Sequence, residues 1–166
     1  AVVHLGGADP SGSAPRGFGA LIARGEGVRA LGVLVPSSLF AGRAPEGSAL
    51  FSVFLGGVTD PEAVDLDDAT LIDLARSGRR TVFGAAADPT PTLARVTRWG
   101  AAIPQYVVGH RARVAQARAL LATAAPGLWL CGAACDGVSI DDAAASGLAA
   151  AAGVLAQRLG SAGALA

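Results

Sequence analysis

Lysine, methionine and asparagine are absent from this 166-residue chain, and all 13 basic residues are arginine. That pattern reads as GC-rich coding bias more than as a functional demand. Charge is scarce at 16%, and 13 basic residues face 13 acidic ones, so there is no positive excess to recruit nucleic acid. With 52% hydrophobic residues the chain is not disordered by composition. Low charge density suggests that much of the surface is covered, by the chain itself or by a partner. The two cysteines are too few for a disulfide framework, so a reducing, cytoplasmic setting is expected. The longest apolar run, residues 143–156, includes Ser146 and Gly147. A membrane span needs about 20 apolar residues, so this run is expected to be a buried helix. There is no initiating methionine and no signal peptide; the chain opens at Ala1 on a strand-like segment and is expected to be part of something longer.

Short apolar runs fill the first third. Residues 1–5 (AVVHL) read as a strand; 18–23 (FGALIA), 31–35 (LGVLV) and 50–55 (LFSVFL) are separated by glycine, proline and charge, which predicts an antiparallel meander. Residues 24–29 (RGEGVR) suit a hairpin loop in which Gly25 and Gly27 take positive φ, and Gly56-Gly57 ends the third of the internal strands. Residues 67–82 carry Leu71, Ile72, Leu74, Ala75 and Val82 at helical spacing, with Asp67 and Asp68 at the start. Residues 93–99 alternate like a half-buried strand, and Pro104 then stops regular structure. A helix is predicted over 110–124, terminated by Pro126-Gly127. Residues 128–131 (LWLC) read as a buried strand, 132–137 (GAACDG) as a turn and 139–159 as a long Ala-rich helix. No internal repeat divides the chain.

The strand, turn and helix start around Asp136, Gly137, Val138, Ser139 and Ile140 could hold an anion or an electron-rich ring edge, because free N–H groups and the helix dipole converge there. An ordinary connector with Ser139 or Asp141 as N-cap is the plainer alternative. His110 stands at a helix start with no Ser, Cys or carboxylate partner by spacing, and reads as a capping or packing residue rather than a catalyst. Cys131 and Cys135 lack the paired spacing of a zinc site, so no metal is expected; Cys131 closes the predicted strand as a small apolar residue. Asp65, Asp67 and Asp68 read as a solvated helix start, not a catalytic pair. Neither a G-x-G-x-x-G after a strand nor a Walker loop is present, so the chain has no dinucleotide-binding unit of its own.

Three stretches go further. Residues 17–57 (GFGALIARGEGVRALGVLVPSSLFAGRAPEGSALFSVFLGG), 98–113 (RWGAAIPQYVVGHRAR) and 126–147 (PGLWLCGAACDGVSIDDAAASG) occur in the order and wording of one family. Together they resemble the C-terminal portion of the protoporphyrinogen/coproporphyrinogen oxidase family, within the flavin amine-oxidase superfamily. The L-C-G-A-A wording is most similar to the Gram-positive bacterial branch, which oxidises coproporphyrinogen III.

The resemblance implies an α+β fold, the C-terminal portion of an FAD/NAD(P)-binding amine-oxidase-like fold. Residues 1–98 would be mostly substrate-binding-domain sheet and helix. Residues 99–166 would return to the FAD-binding domain with a C-terminal helix. It implies FAD-dependent, oxygen-dependent oxidation of a porphyrinogen in heme biosynthesis, from coproporphyrinogen III to coproporphyrin III or from protoporphyrinogen IX to protoporphyrin IX. Gly137, Val138, Ser139 and Ile140 match the last FAD contact, at the pyrimidine edge, and Trp99 a residue beside the cofactor. Leu21, Leu34 and Phe54 match apolar positions against the macrocycle. No catalytic acid or base is assigned. The partners implied are the porphyrinogen, O2 and a missing N-terminal half, with the enzyme in the cytoplasm and room for peripheral contact with a membrane; oligomeric state is left open. The family commonly has Gly at Ser139, Pro at Asp141 and Cys at Ala143. Because FAD draws on both halves, the segment alone is expected to hold it weakly or not at all, and to be inactive. The alternatives are another flavin amine-oxidase relative with a different substrate, and a non-catalytic remnant serving as an interaction module.

Overall fold

The computed structural model of the protein describes residues 1–9, 12–85 and 90–163. The chain divides into two compact units, Ala1–Gly100 and Ala101–Ala166.

The first unit is a five-stranded antiparallel sheet with a helix on one face. Its strands are β1 (Val2–Ala8), β2 (Gly19–Leu21), β3 (Ala30–Leu34), β4 (Ser48–Leu55) and β5 (Leu93–Thr97). They lie in the order β2-β3-β4-β1-β5. The expected three-strand meander is formed by β2, β3 and β4. The first strand enters between β4 and β5, a pairing of residues about fifty and ninety positions apart that no local pattern encodes. The loop between β2 and β3 turns on Gly25 and Gly27, both at positive φ as expected. A one-turn helix, α1 (Pro36–Leu39), follows β3.

Helix α2 (Asp68–Phe83) begins where Asp67 accepts hydrogen bonds from the Thr70 N–H (2.9 Å) and hydroxyl (2.8 Å). Leu71, Ala75 and Gly78 form its buried stripe. The stripe packs on Val3, Leu5, Val33, Phe51 and Val53 of the sheet. Each of the larger aliphatic side chains here contributes about 1.5–3 kcal/mol by leaving water. Gly78 is required by close approach, since a Cβ there would lie 2.5 Å from the Ala30 Cβ. Arg79 is buried with its guanidinium over the Phe51 ring.

The second unit holds α3 (His110–Ala124) and α4 (Ile140–Gly163). Both helices were expected, but the strand over 128–131 is not formed. No neighbouring strand among the described residues takes its backbone groups. The Leu128 N–H donates to the Ala125 carbonyl at 3.1 Å and Arg118 donates to the Leu130 carbonyl at 2.9 Å; just beyond the run the Gly132 N–H donates to the Ser146 hydroxyl at 2.8 Å. Cys131 is accordingly exposed rather than buried. The run 143–156 is helical as expected but not buried. Leu148 and Leu155 of α4 stay exposed, and Ser146 is the one buried residue of this unit among those described.

Candidate functional site

Residues paired across an antiparallel sheet project from the same face. The register sets Leu21, Gly32, Phe54, Val2 and Thr97 in one row across all five strands. The adjacent row is Gly19, Leu34, Ser52, His4 and Arg95. Both rows lie on the face turned away from α2, because the alternate residues Val3, Val33 and Val53 belong to the core that α2 covers. Leu21, Leu34 and Phe54, singled out in the sequence, therefore share one sheet face. Leu21 is 90% exposed, while Leu34 and Phe54 are half-buried. Gly32 is buried under its neighbour on β2: a Cβ there would meet the Leu21 side chain at 3.2 Å and the Ala20 carbonyl at 2.8 Å, so only glycine lets Leu21 lie down on the sheet. The result is a smooth apolar patch suited to a flat ligand.

A polar strip borders that patch. His4 Nδ1 and Ser52 Oγ share a hydrogen bond of 2.8 Å, and Arg95 pairs with His4 on the other side. Partial burial, and secondarily the charge of Arg95, push the His4 pKa down, which favours the neutral ring.

Trp99 follows β5 and is 59% exposed. Its neighbour Arg98 is clamped at the start of α2 by the carbonyls of Val64 (3.1 Å) and Leu66 and by the Asp68 carboxylate. That clamp fixes where the chain carries Trp99. Asp67 and Asp68 are thereby spent on a helix cap and an ion pair, in keeping with a structural helix start.

In the second unit, Gly132 starts a turn in which its carbonyl accepts from the N–H groups of Cys135 (2.9 Å) and Asp136 (3.2 Å). Gly137 has φ 153°, and a Cβ there would fall 2.4 Å from the Asp142 side chain. Ser139 is the N-cap: its hydroxyl accepts from the Asp142 N–H at 3.0 Å. Among the described residues, the N–H groups of Val138, Ser139, Ile140 and Asp141 donate to no acceptor. Val138 is 52% and Ile140 88% exposed. The arrangement offers unused donors at a helix start, with the Asp142 side chain filling the space beside Gly137.

Behind the turn lies a polar network. Arg118 Nη2 donates to Asp136 Oδ2 at 2.7 Å, and the Ser146 hydroxyl donates to the same oxygen. Arg118 first, then Ser146, hold the Asp136 carboxyl below its ordinary pKa. Beside it a cleft of about 880 Å³ opens between α3 and α4, with Leu121, Trp129 and Ala149 among its walls. Trp129 packs on Gly153, where any Cβ would fall within its ring. His110 is a packing residue as read from the sequence, stacked on Tyr106 with ring centroids 4.2 Å apart.

Sequence reasoning missed Arg118, Asp136 and Ser146 as a set, and missed the His4–Ser52 pair. Their separations, 10 to 28 positions in the first case and 48 in the second, leave no local signal. Trp99 belongs to the first unit and Gly137, Val138, Ser139 and Ile140 to the second. Among the described residues no group of histidine, cysteine and carboxylate side chains could hold a metal ion, and no helix is long and apolar enough to cross a membrane.

Residues 9–155 match the family of flavin-containing amine oxidoreductases. The chain is 38% identical over 107 residues to coproporphyrinogen III oxidase of Bacillus subtilis, covering 64% of this chain and 22% of that protein. It is 36% identical over 141 residues to coproporphyrinogen III oxidase of Mycobacterium tuberculosis, covering 84% and 29%. With the chloroplastic protoporphyrinogen oxidase 1 of Spinacia oleracea it shares 35% over 126 residues, covering 75% and 22%. The chain thus spans less than a third of the length of these relatives. A crystal structure from Exiguobacterium, assigned as a protoporphyrinogen oxidase, superposes with a TM-score of 0.78 over 95% of this chain and 34% of that one, at 22% identity, a likeness of fold.

Proposed function

Because the chain belongs to the flavin-containing amine oxidoreductase family, we propose that it forms the C-terminal part of an FAD-dependent porphyrinogen oxidase. The single observation that carries this reading is the register that sets Leu21, Leu34 and Phe54 on one apolar sheet face. A macrocycle with a broad apolar ring is the ligand such a face accepts. Residues 1–98 are proposed as mostly substrate-binding domain, and 99–166 as the return to the FAD domain.

Gly137, Val138, Ser139 and Ile140 would hold the pyrimidine edge of FAD, with Trp99 beside the cofactor. The free N–H groups of the α4 start supply donors where the ring becomes electron-rich. Ser139 adds a Cβ, but its hydroxyl is turned to the Asp142 N–H. Asp141 and Asp142 stabilise the helix start and set negative charge near the same donors. Bound FAD would accept hydride equivalents from the porphyrinogen and pass them to O2, so that six electrons leave the substrate and three O2 become three H2O2. The residues of this chain would clamp the ring and exclude water; hydride transfer to a flavin needs flat placement more than an acid–base pair.

The substrate is proposed to be coproporphyrinogen III or protoporphyrinogen IX, and the L-C-G-A-A wording of residues 130–134, similar to the Gram-positive branch, makes coproporphyrinogen III the first to assay. The enzyme is proposed to act in the cytoplasm, in heme biosynthesis. The test is to express the uninterrupted gene, load FAD, and follow porphyrin fluorescence and peroxide with each porphyrinogen. Porphyrin formation with peroxide release is the expected result. Peroxide release driven by amines with no porphyrin formed would overturn the reading.

A further inference from the structure

The apolar face proposed to take the macrocycle carries one permanent charge on its strands. On that face β2 presents Gly19 and Leu21, β3 presents Gly32 and Leu34, and β4 presents Leu50, Ser52 and Phe54. β1 adds Val2, His4 and Gly6; β5 adds Leu93, Arg95 and Thr97. No carboxylate stands among them. Arg95 is exposed and makes no hydrogen bond or ion pair with any described residue. The arginines that serve structure behave differently: Arg29, Arg98 and Arg118 are each tied to an aspartate.

The setting of Arg95 is built rather than incidental. His4 lies between it and Ser52, bonded to the Ser52 hydroxyl and kept toward its neutral form. The strip thus offers one cation and no competing charge. Arg95 sits three strands from Leu34 in the same row, roughly 14 Å at the usual strand spacing. A ring lying on Leu21, Leu34 and Phe54 would have its edge, not its centre, toward Arg95. A planar guanidinium at that edge matches a carboxylate arm bidentately.

We propose that Arg95 binds a carboxylate arm of the substrate whose ring lies on Leu21, Leu34 and Phe54, and so helps to select a carboxylate-bearing macrocycle; this rests on the porphyrinogen oxidase reading above. A charge-assisted pair at a partly exposed site is worth roughly a factor of ten in affinity.

The experiment uses the full-length FAD-loaded enzyme, wild type, Arg95→Leu and Arg95→Lys, with coproporphyrinogen III and with its tetramethyl ester, which has the same ring and no free carboxylate. Binding of the product, coproporphyrin III, is titrated by fluorescence alongside. R95L is expected to raise KM for the acid and Kd for the product about tenfold, with the effect on KM and not on kcat. The ester is expected to show no difference between the variants, and R95K to fall between wild type and R95L. Equal effects on acid and ester, no effect on either, or loss of flavin from R95L would each overturn the proposal while leaving the oxidase reading intact. A wild-type enzyme that oxidises no porphyrinogen and binds no coproporphyrin would overturn both.

Discussion

Arg118 holds Asp136 by a 2.7 Å hydrogen bond from Nη2 to Oδ2, and through this contact a helix, a turn and a second helix are tied together. The same nitrogen donates to the Leu130 carbonyl, and Ser146 of α4 donates to the same carboxylate oxygen while accepting from the Gly132 N–H. In a unit with almost no buried apolar side chains, this polar knot does what a core does elsewhere. It fixes the connector that leads into Gly137.

Removing Ser146 should loosen that connector. Ser146→Ala leaves the Gly132 N–H without its acceptor and the Asp136 carboxylate with one donor fewer. A cost of about 1–2 kcal/mol is expected. Hydrogen exchange at Gly132 should quicken in the variant while exchange in the β-sheet is unchanged. Equal protection at Gly132 in both proteins would contradict the role assigned to the hydroxyl.

Gly78→Ala sets two effects against each other. Alanine is the better helix former by about 1 kcal/mol. Its methyl would be placed 2.5 Å from the Ala30 Cβ, between a helix and a sheet that cannot separate freely. Overpacking of this kind costs about 1–3 kcal/mol, so net destabilisation is expected. Urea denaturation should show a lower midpoint, and Ala30→Gly in the same chain should recover much of it.

His4 should make stability depend on pH near neutrality. Burial, and then Arg95, hold its folded pKa below the unfolded value. Its contribution is complete above the unfolded value and is lost as pH falls through the folded one, because the unfolded chain then binds the proton more readily. The denaturation midpoint should fall as pH is lowered from about 7 towards 5, below the ordinary histidine range. In an NMR titration Arg95→Leu should move the His4 pKa upward, toward that ordinary range.

Gly137→Ala tests the turn directly. The residue sits at φ 153°, a region that L side chains rarely adopt, and its Cβ would be pressed into the Asp142 side chain. Flavin retention by the full-length enzyme after gel filtration should drop about tenfold or more, while the sheet domain melts as before. The double variant with Asp142→Ala should recover only part of the loss, because the backbone strain remains.

Much of the local structure was open to sequence reading. Helix α3 spans the expected 110–124, and α2 starts at the expected aspartates because Asp67 is a cap with a Thr three residues on. Leu21, Leu34 and Phe54 came from wording that resembles a family, not from period or spacing. Their common face became visible only through register, since a slip by one residue would have turned Phe54 into the core.

The sequence by itself determined what depends on near neighbours: the strands, the helices, their caps and the glycine turns, because backbone preference and side-chain period act over a few residues. It also carried the family wording, which is a property of order along the chain. Tertiary structure decided what depends on distant neighbours. The insertion of β1 between β4 and β5 brought His4 to both Ser52 and Arg95. The run 128–131, apolar enough for a strand, formed none, because a strand exists only when another supplies its hydrogen bonds, and no strand among the described residues lies beside it.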